Sequence, residues 1–428
     1  MQRRRFLTGA ATASALLAGC TSGGSGDDGN DAATSANEST TAASGTNAAA
    51  ATTTAGPATG ESSTATESST ATESGTATDV ASETGTRNGT ETGGAYSVSI
   101  APMGEVTFDG VPETWVANNG SWADMGVALG IEPPEAVWLP ERYHTRYYDE
   151  VPGVSVDKSG MQALYSDGVS KEVFYELDGD VHVIDPNFLR NRFKGWKQAD
   201  VEEIRTNVGP FFGNSVFSRG YSWHESYRYY TLYEAFGKLA TVFQREDRYE
   251  RFVSLHDELQ SNLSAVVPST ESERPSVAIL WASGNEPETF SPYLIGEGTS
   301  FKQWRDLQVR DALAETDVED FHATRSEVDY ETLLEIDPEV LLLRGHESQT
   351  ADEFQNTVVR FMSEHSTASA LTAVENDDVY RGGPLYQGPI TNLVVTQRAA
   401  NQIYPDRVSG RLYDPERIAS IVDGADGS

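Results

Sequence analysis

Cysteine occurs once in this chain, at Cys20, so no disulfide can form within it and core and surface must hold the fold. Lysine is nearly as scarce. Six residues (Lys158, Lys171, Lys194, Lys197, Lys238 and Lys302) contribute to a total of 31 basic side chains, against 65 acidic ones. A formal net charge of −34 leaves no extended basic face for phosphates, which excludes nucleic acid as a partner. An acidic, lysine-poor surface stays hydrated in concentrated salt, where repulsion is screened within ~3 Å at molar ionic strength, and points to a halophilic source. Histidine numbers seven, and no HExxH, His–Cys cluster, GxSxG or glycine-rich phosphate loop is present. The recurrent signatures of metal-dependent, serine-based and nucleotide-using enzymes are therefore missing. The expectation is a protein without catalysis, metal site or cofactor.

Large apolar residues are also lacking over most of the first 95 positions. The start, MQRRRFLTGAATASALLAGC, has twin arginines Arg3 and Arg4 and then an Ala-rich apolar stretch too short for a stable membrane span. It reads as a twin-arginine export signal over residues 1–20. Leu17-Ala18-Gly19-Cys20 resembles a lipobox, so Cys20 is the expected lipidation site; the alternative is an ordinary cleavable signal with an incidental cysteine. Residues 21–95 are Ser, Thr, Ala, Gly and acidic, with near-repeats ESSTATESSTATESGTATD. Such a composition cannot offset the entropy of ordering and is expected to form a disordered tether with a reach of roughly 50 Å.

Beyond it, short apolar strands alternate with amphipathic helices, which is the pattern of an α/β fold. Strands are expected at TWVA (114–117), AVWL (136–139), DVHVID (180–185), SVAILWA (276–282), VLLL (340–343) and DVYRGG. A helical pattern runs from about Ser222 to Val266 without proline, and is read as one long helix. Further helices are expected at about 300–313, at VDYETLLEI, near 351–365 and at 389–403. The division that follows is an N-terminal α/β lobe (96–220), a connecting helix region (221–266) and a C-terminal α/β lobe (267–428), with a ligand cleft between the lobes.

Three stretches carry a resemblance. VPETWVANNGSWADMGVALG, VDYETLLEIDPEVLLL and LTAVENDDVYRGGPLYQGPITNLVVTQRAANQIYPD resemble, in order, the opening strand–loop–helix, the helix-Asp-Pro-strand signature and the closing segment of one family. These are the ABC-transporter substrate-binding proteins for ferric siderophores and cobalamin, whose two lobes are linked by a rigid helix. Together with the lipobox and tether the chain looks like a haloarchaeal-type lipoprotein of this group. The segment from Tyr143 to about Tyr175 is longer than the family pattern, and EVTFDG is a loose version of its N-terminal hairpin. The resemblance implies a monomer anchored outside the cell membrane through lipidated Cys20. It would bind a small-molecule iron chelate and deliver it to a permease with its ATPase. A corrinoid carrier of the same fold is the alternative; a redox or free-metal-binding protein is a more distant one.

Ligands of α/β sheets lie at the carboxyl ends of strands. That rule selects Asn119 and Trp122 after the first strand; Arg142, Tyr143 and Tyr147 after the second; Trp281 and Tyr293; Arg344, with His346 close by; and Arg381 and Tyr386. Arg, Tyr and Trp suit a large anionic, partly flat ligand held by stacking, cation–π contact and forked hydrogen bonds. Plainer roles compete. Arg344 could pair with a carboxylate, Tyr147 and its neighbour Tyr148 could pack the long segment, and Trp122 could plug the core. The sequon Asn119-Gly120-Ser121 falls at the expected cleft and should carry no glycan.

Overall fold

The computed structural model describes residues 94–425, except Asp167, Lys194, Gly220 and Ser222. The export signal, Cys20 and almost all of the expected tether lie outside the described residues. Among the described residues no helix is long and apolar enough to cross a membrane.

The chain begins with an antiparallel hairpin, β1 (Tyr96–Ile100) and β2 (Gly104–Phe108). The N-terminal lobe then builds a parallel sheet from β3 (Trp115–Ala117), β4 (Ala136–Val137), β5 (Gln162–Ala163) and β6 (Val181–Val183), in the order β5-β4-β3-β6. The C-terminal lobe contains β7 (Ser276–Trp281), β8 (Ser291–Tyr293), β9 (Arg310–Asp311), β10 (Val340–Arg344) and β11 (Val379–Arg381). Its order is β11-β10-β7-β8, with β9 also paired to β7, and only β8 runs antiparallel.

β7 and β10 read as solid apolar runs because both faces of this sheet are covered. Val277, Ile279, Val340 and Leu342 face one core, while Ala278, Leu280, Leu341 and Leu343 face another. The first of these cores is shared by both lobes. It also takes in Trp115 and Trp122 of the N-terminal lobe, Phe236 and Leu239 of the helix Leu232–Phe243, Leu255 and Leu259 of the helix Glu246–Val266, and Leu393 of the helix Pro389–Ile403. A continuous helical layer therefore joins two sheets. A close-packed junction of this kind resists wide hinge motion.

The connecting helix differs from the expectation. It starts at Leu232, not near Ser222, behind a Thr231/Glu234 capping box, and it is two helices. Gln244 ends the first in the left-handed region, at φ 53°, a conformation that cannot continue a right-handed helix. The helix expected at 300–313 shrinks to Lys302–Asp306, with β9 following, because Gln308 again takes a left-handed φ of 51°. Apolar periodicity continues across both breaks, and periodicity alone does not report the sign of φ.

Candidate functional site

Between the lobes lies a cleft of about 550 Å³. Leu139, Glu141, Arg142, His144 and Tyr165 line it from the N-terminal lobe; the C-terminal lobe contributes three loops, 281–284, 345–348 and 383–385. Each of those loops leaves the carboxyl end of a parallel strand, β7, β10 or β11. This is the position where open α/β sheets take ligands, and the volume is within the range of small-molecule sites.

Loop 139–150 forms most of the N-terminal wall. It consists of two 3₁₀ turns, Pro140–Arg142 and Thr145–Glu150. Arg142 crosses the cleft, its guanidinium 5.5 Å from the centre of the Trp281 ring. His144 is kept neutral at ordinary pH. Burial pushes it down to about 4, aided by the nearby Lys158, Arg146 and Arg142 charges and opposed by Glu347. Tyr165 is 40% exposed and stacks on Trp138 at 5.0 Å, so it offers a flat face at the rim.

The opposite wall is anchored by Glu347, 3% exposed. Its Oε1 accepts from Gly383 N at 2.9 Å, and its Oε2 from Tyr147 Oη and from Arg398 Nη2, the latter at 3.3 Å. Burial alone would raise its pKa; Arg398, Tyr147, Arg381 and His144 outweigh it and hold the carboxyl below its usual range. Arg146 Nη1 of the N-terminal lobe reaches the carbonyls of Glu347 and Ser348, the latter at 2.7 Å. Arg381 Nη1 donates to Gln349 O at 2.5 Å. In a protein this acidic, Arg142, Arg146, Arg381 and Arg398 thus gather around one cleft, with Glu347 as the buried counter-charge of Arg398 and Arg381.

The residues selected from the sequence separate into two groups. Arg142 and Trp281 line the cleft. Asn119, Trp122, Tyr143, Tyr147, Tyr293, Arg344 and Tyr386 are buried and do not line it, and Arg381 is partly buried behind it. Asn119 caps the helix Gly120–Ala128, its Oδ1 accepting from Ser121 N at 2.9 Å, and is 2% exposed. Trp122 is fully buried. Tyr143 turns its hydroxyl to Tyr148, behind the cleft, while the buried Tyr147 donates to the cleft-lining Glu347. Arg344 is 1% exposed, with its guanidinium 4.4 Å from the Phe301 ring and 5.8 Å from that of Tyr293. It donates to Ser300 O at 2.6 Å, while its Nε and Nη1 find no partner among the described residues. Burial pushes it down to about 10. Tyr386 packs on Phe217 at 5.3 Å.

Glu347, Arg398, Tyr165 and the loop glycines Gly345 and Gly383 were not selected from the sequence. Glu347 follows His346 by one residue past a strand end, so the strand-end rule, carried one step further, reaches it. Arg398 had no local signal. It lies mid-helix, and only the fold brings it to Glu347. Among the described residues no three His, Cys, Asp or Glu side chains come together as a metal site.

Residues 188–385 match the family model described as periplasmic binding protein. No curated protein sequence matches. A periplasmic binding protein from Veillonella parvula superposes with a TM-score of 0.52 at 15% identity, covering 74% of this chain and 100% of that one. An ABC-type Fe3+-hydroxamate transport system protein from Saccharomonospora viridis gives 0.46 at 21% identity (72% and 98% covered). The periplasmic catecholate-siderophore binding protein VctP from Vibrio cholerae gives 0.49 at 16% identity (72% and 100% covered). At the level of fold the resemblance is borne out: this chain has the two-lobed fold of the periplasmic binding proteins, and residues 188–385, which contain the second of the three stretches and part of the third, carry the sequence pattern of that family.

Proposed function

We propose that the protein is an extracytoplasmic solute receptor of an ABC importer, tethered through lipidated Cys20, and that its ligand is an anionic, oxygen-rich ferric chelate of the siderophore class. The observation that carries this reading is Arg142 held over Trp281 across the interlobe cleft. A guanidinium against an indole offers a charge and forked donors to carboxylate or hydroxamate oxygens, and a flat apolar face to the chelate's body. The surrounding arginines add a positive field in a chain of net charge −34. The protein does no chemistry on the ligand. It takes the chelate between lobes whose shared helical core limits them to small rotations, and presents the complex to a permease and its ATPase.

The test is a fluorescence titration of the full chain in molar salt with a ferric trihydroxamate and, separately, with cobalamin. Trp281 in the cleft makes quenching the direct readout. Quenching by the ferric complex at micromolar concentration or below is expected. Quenching by cobalamin alone would assign the cleft to a corrinoid, and silence with both would overturn the ligand reading.

A further inference from the structure

Asp124 lies in the helix Gly120–Ala128 of the N-terminal lobe and is 1% exposed, yet most of its hydrogen bonds go to the other lobe. Its Oδ2 accepts from Ile390 N at 2.9 Å. Thr391 N stands 3.3 Å from both carboxylate oxygens, and Thr391 Oγ1 donates to Oδ1 at 2.9 Å. These groups open the helix Pro389–Ile403, whose own N-cap residue is Gly388 and has no side chain to satisfy them. A residue of one lobe therefore caps a fifteen-residue helix of the other, where the free N–H groups favour an anion.

The same carboxylate holds the cleft wall. Tyr148 Oη donates to Asp124 Oδ1 at 2.7 Å and shares a 2.6 Å hydrogen bond with Tyr143 Oη. Both tyrosines belong to the loop whose Glu141, Arg142 and His144 face the cleft. The approach is also built into the backbone: a Cβ at Gly388 would stand 2.3 Å from Asp124 Oδ2 and 2.6 Å from its Cβ, distances no side chain tolerates. Gln387 N, one residue earlier, donates to Ser121 Oγ at 3.0 Å across the same junction.

We propose that Asp124 is a positioning residue of the ligand site: its carboxylate clamps the cleft loop 140–150 to the start of the helix Pro389–Ile403 and so fixes both lobes in the ligand-receiving geometry. A carboxylate suits this task because it only accepts, and can serve four donors at once. The groups facing it are Tyr148 and Tyr143 from the loop, Thr391 from the closing helix, and the buried phenol of Tyr233 from the helix Leu232–Phe243. Arg248, from the helix Glu246–Val266, meets the far end of the Asp124 helix, at the carbonyl of Leu129. Burial raises Asp124 to about 6 even though these bonds oppose the rise. The buried, clamped carboxyl therefore holds its proton more tightly than an opened, solvated one would, so mild acid strengthens the closed arrangement and does not release it.

The ligand half of this inference rests on the proposed function; the clamp itself does not, and the experiment keeps them apart. Hydrogen exchange is followed by mass spectrometry on the ligand-free full chain at pH 7.5 and 5.0, for wild type, Asp124→Asn and Tyr148→Phe, corrected for intrinsic rates. At pH 7.5, Asp124→Asn should speed exchange about tenfold in peptides covering both 140–150 and 388–392. Tyr148→Phe should do so in 140–150 alone. The excess of Asp124→Asn over wild type should be at least as large at pH 5.0. Unchanged exchange in either peptide of Asp124→Asn at pH 7.5, or loss of the excess at pH 5.0, overturns the clamp. Should Asp124→Asn not fold, Tyr148→Phe decides alone, and unchanged exchange in 140–150 overturns it. In parallel, the ferric trihydroxamate and cobalamin titrations at pH 7.5 should show Asp124→Asn weakening whichever probe binds by about tenfold. Silence with both probes refutes the function reading and leaves exchange to judge the clamp.

Discussion

Replacing Glu347 by Gln should cost the fold about 3 kcal/mol at pH 7.5. The side chain is 3% exposed and its partner Arg398 is 19% exposed. A glutamine keeps an oxygen for Gly383 N–H but turns an amide toward Arg398 and Tyr147, leaving a mostly buried cation without its counter-charge. Breaking a buried pair by removing one partner costs roughly 3–5 kcal/mol; the low end applies because part of Arg398 remains in water. Urea denaturation followed by circular dichroism, in 0.5 M and 3 M KCl, measures the loss. It should be nearly the same in both salts, since a buried pair is little screened. Arg398→Met in the Glu347→Gln background should recover part of it. The acid limb adds a second check. Because the folded carboxyl titrates below its unfolded value, its contribution is complete above the unfolded pKa and fades as pH falls through the folded one. The variant should therefore lose stability less steeply in that window. A loss under about 1 kcal/mol, typical of exposed pairs, would refute the reasoning.

Asp124 predicts the opposite slope. It binds a proton in the folded state up to about pH 6 but in the unfolded chain only to about pH 3.9. Its contribution to stability thus declines as pH rises between those values, by up to ~3 kcal/mol; pH-resolved denaturation of Asp124→Asn should lack that decline. Gly388→Ala forces a Cβ against Asp124 and should cost ~1–3 kcal/mol as an overpacking, read as a lowered urea midpoint; a neutral effect would contradict the packing described. Arg344→Met removes a buried guanidinium with two unpartnered nitrogens and should leave stability equal or higher, by as much as ~1–4 kcal/mol. A clear loss would mean that Arg344 is better satisfied than its contacts indicate.

Much of the architecture was legible because it obeys simple periodicities. The β10 strand, the helix Pro389–Ile403 and the turn at Asp337-Pro338 between the helix Tyr330–Ile336 and its strand all follow from apolar spacing, proline and turn chemistry. The break at Gln244 did not, because a left-handed glutamine has no composition signal. The start at Leu232 was readable: Thr231-Leu232-Tyr233-Glu234 is a capping box, and its signature outranks an apolar pattern that continues upstream. For the site, the strand-end rule placed the cleft and found Arg142 and Trp281. It could not tell which side chains of a loop face the cleft and which anchor the loop. Within 140–150, Arg142 and His144 face the cleft while Tyr143, Tyr147 and Tyr148 reach inward to Asp124 and Glu347. Those two carboxylates are long-range partners, and no local pattern ties a helix residue at 124 to one at 390.

The most direct test of the central claim is the affinity of the full chain for a ferric trihydroxamate before and after Arg142→Ala, with the urea midpoint measured on the same samples. The account predicts micromolar or tighter binding by wild type, about a tenfold loss in the variant, equivalent to ~1.4 kcal/mol, and an unchanged midpoint. Equal affinity in both proteins, or no binding by either, would contradict it.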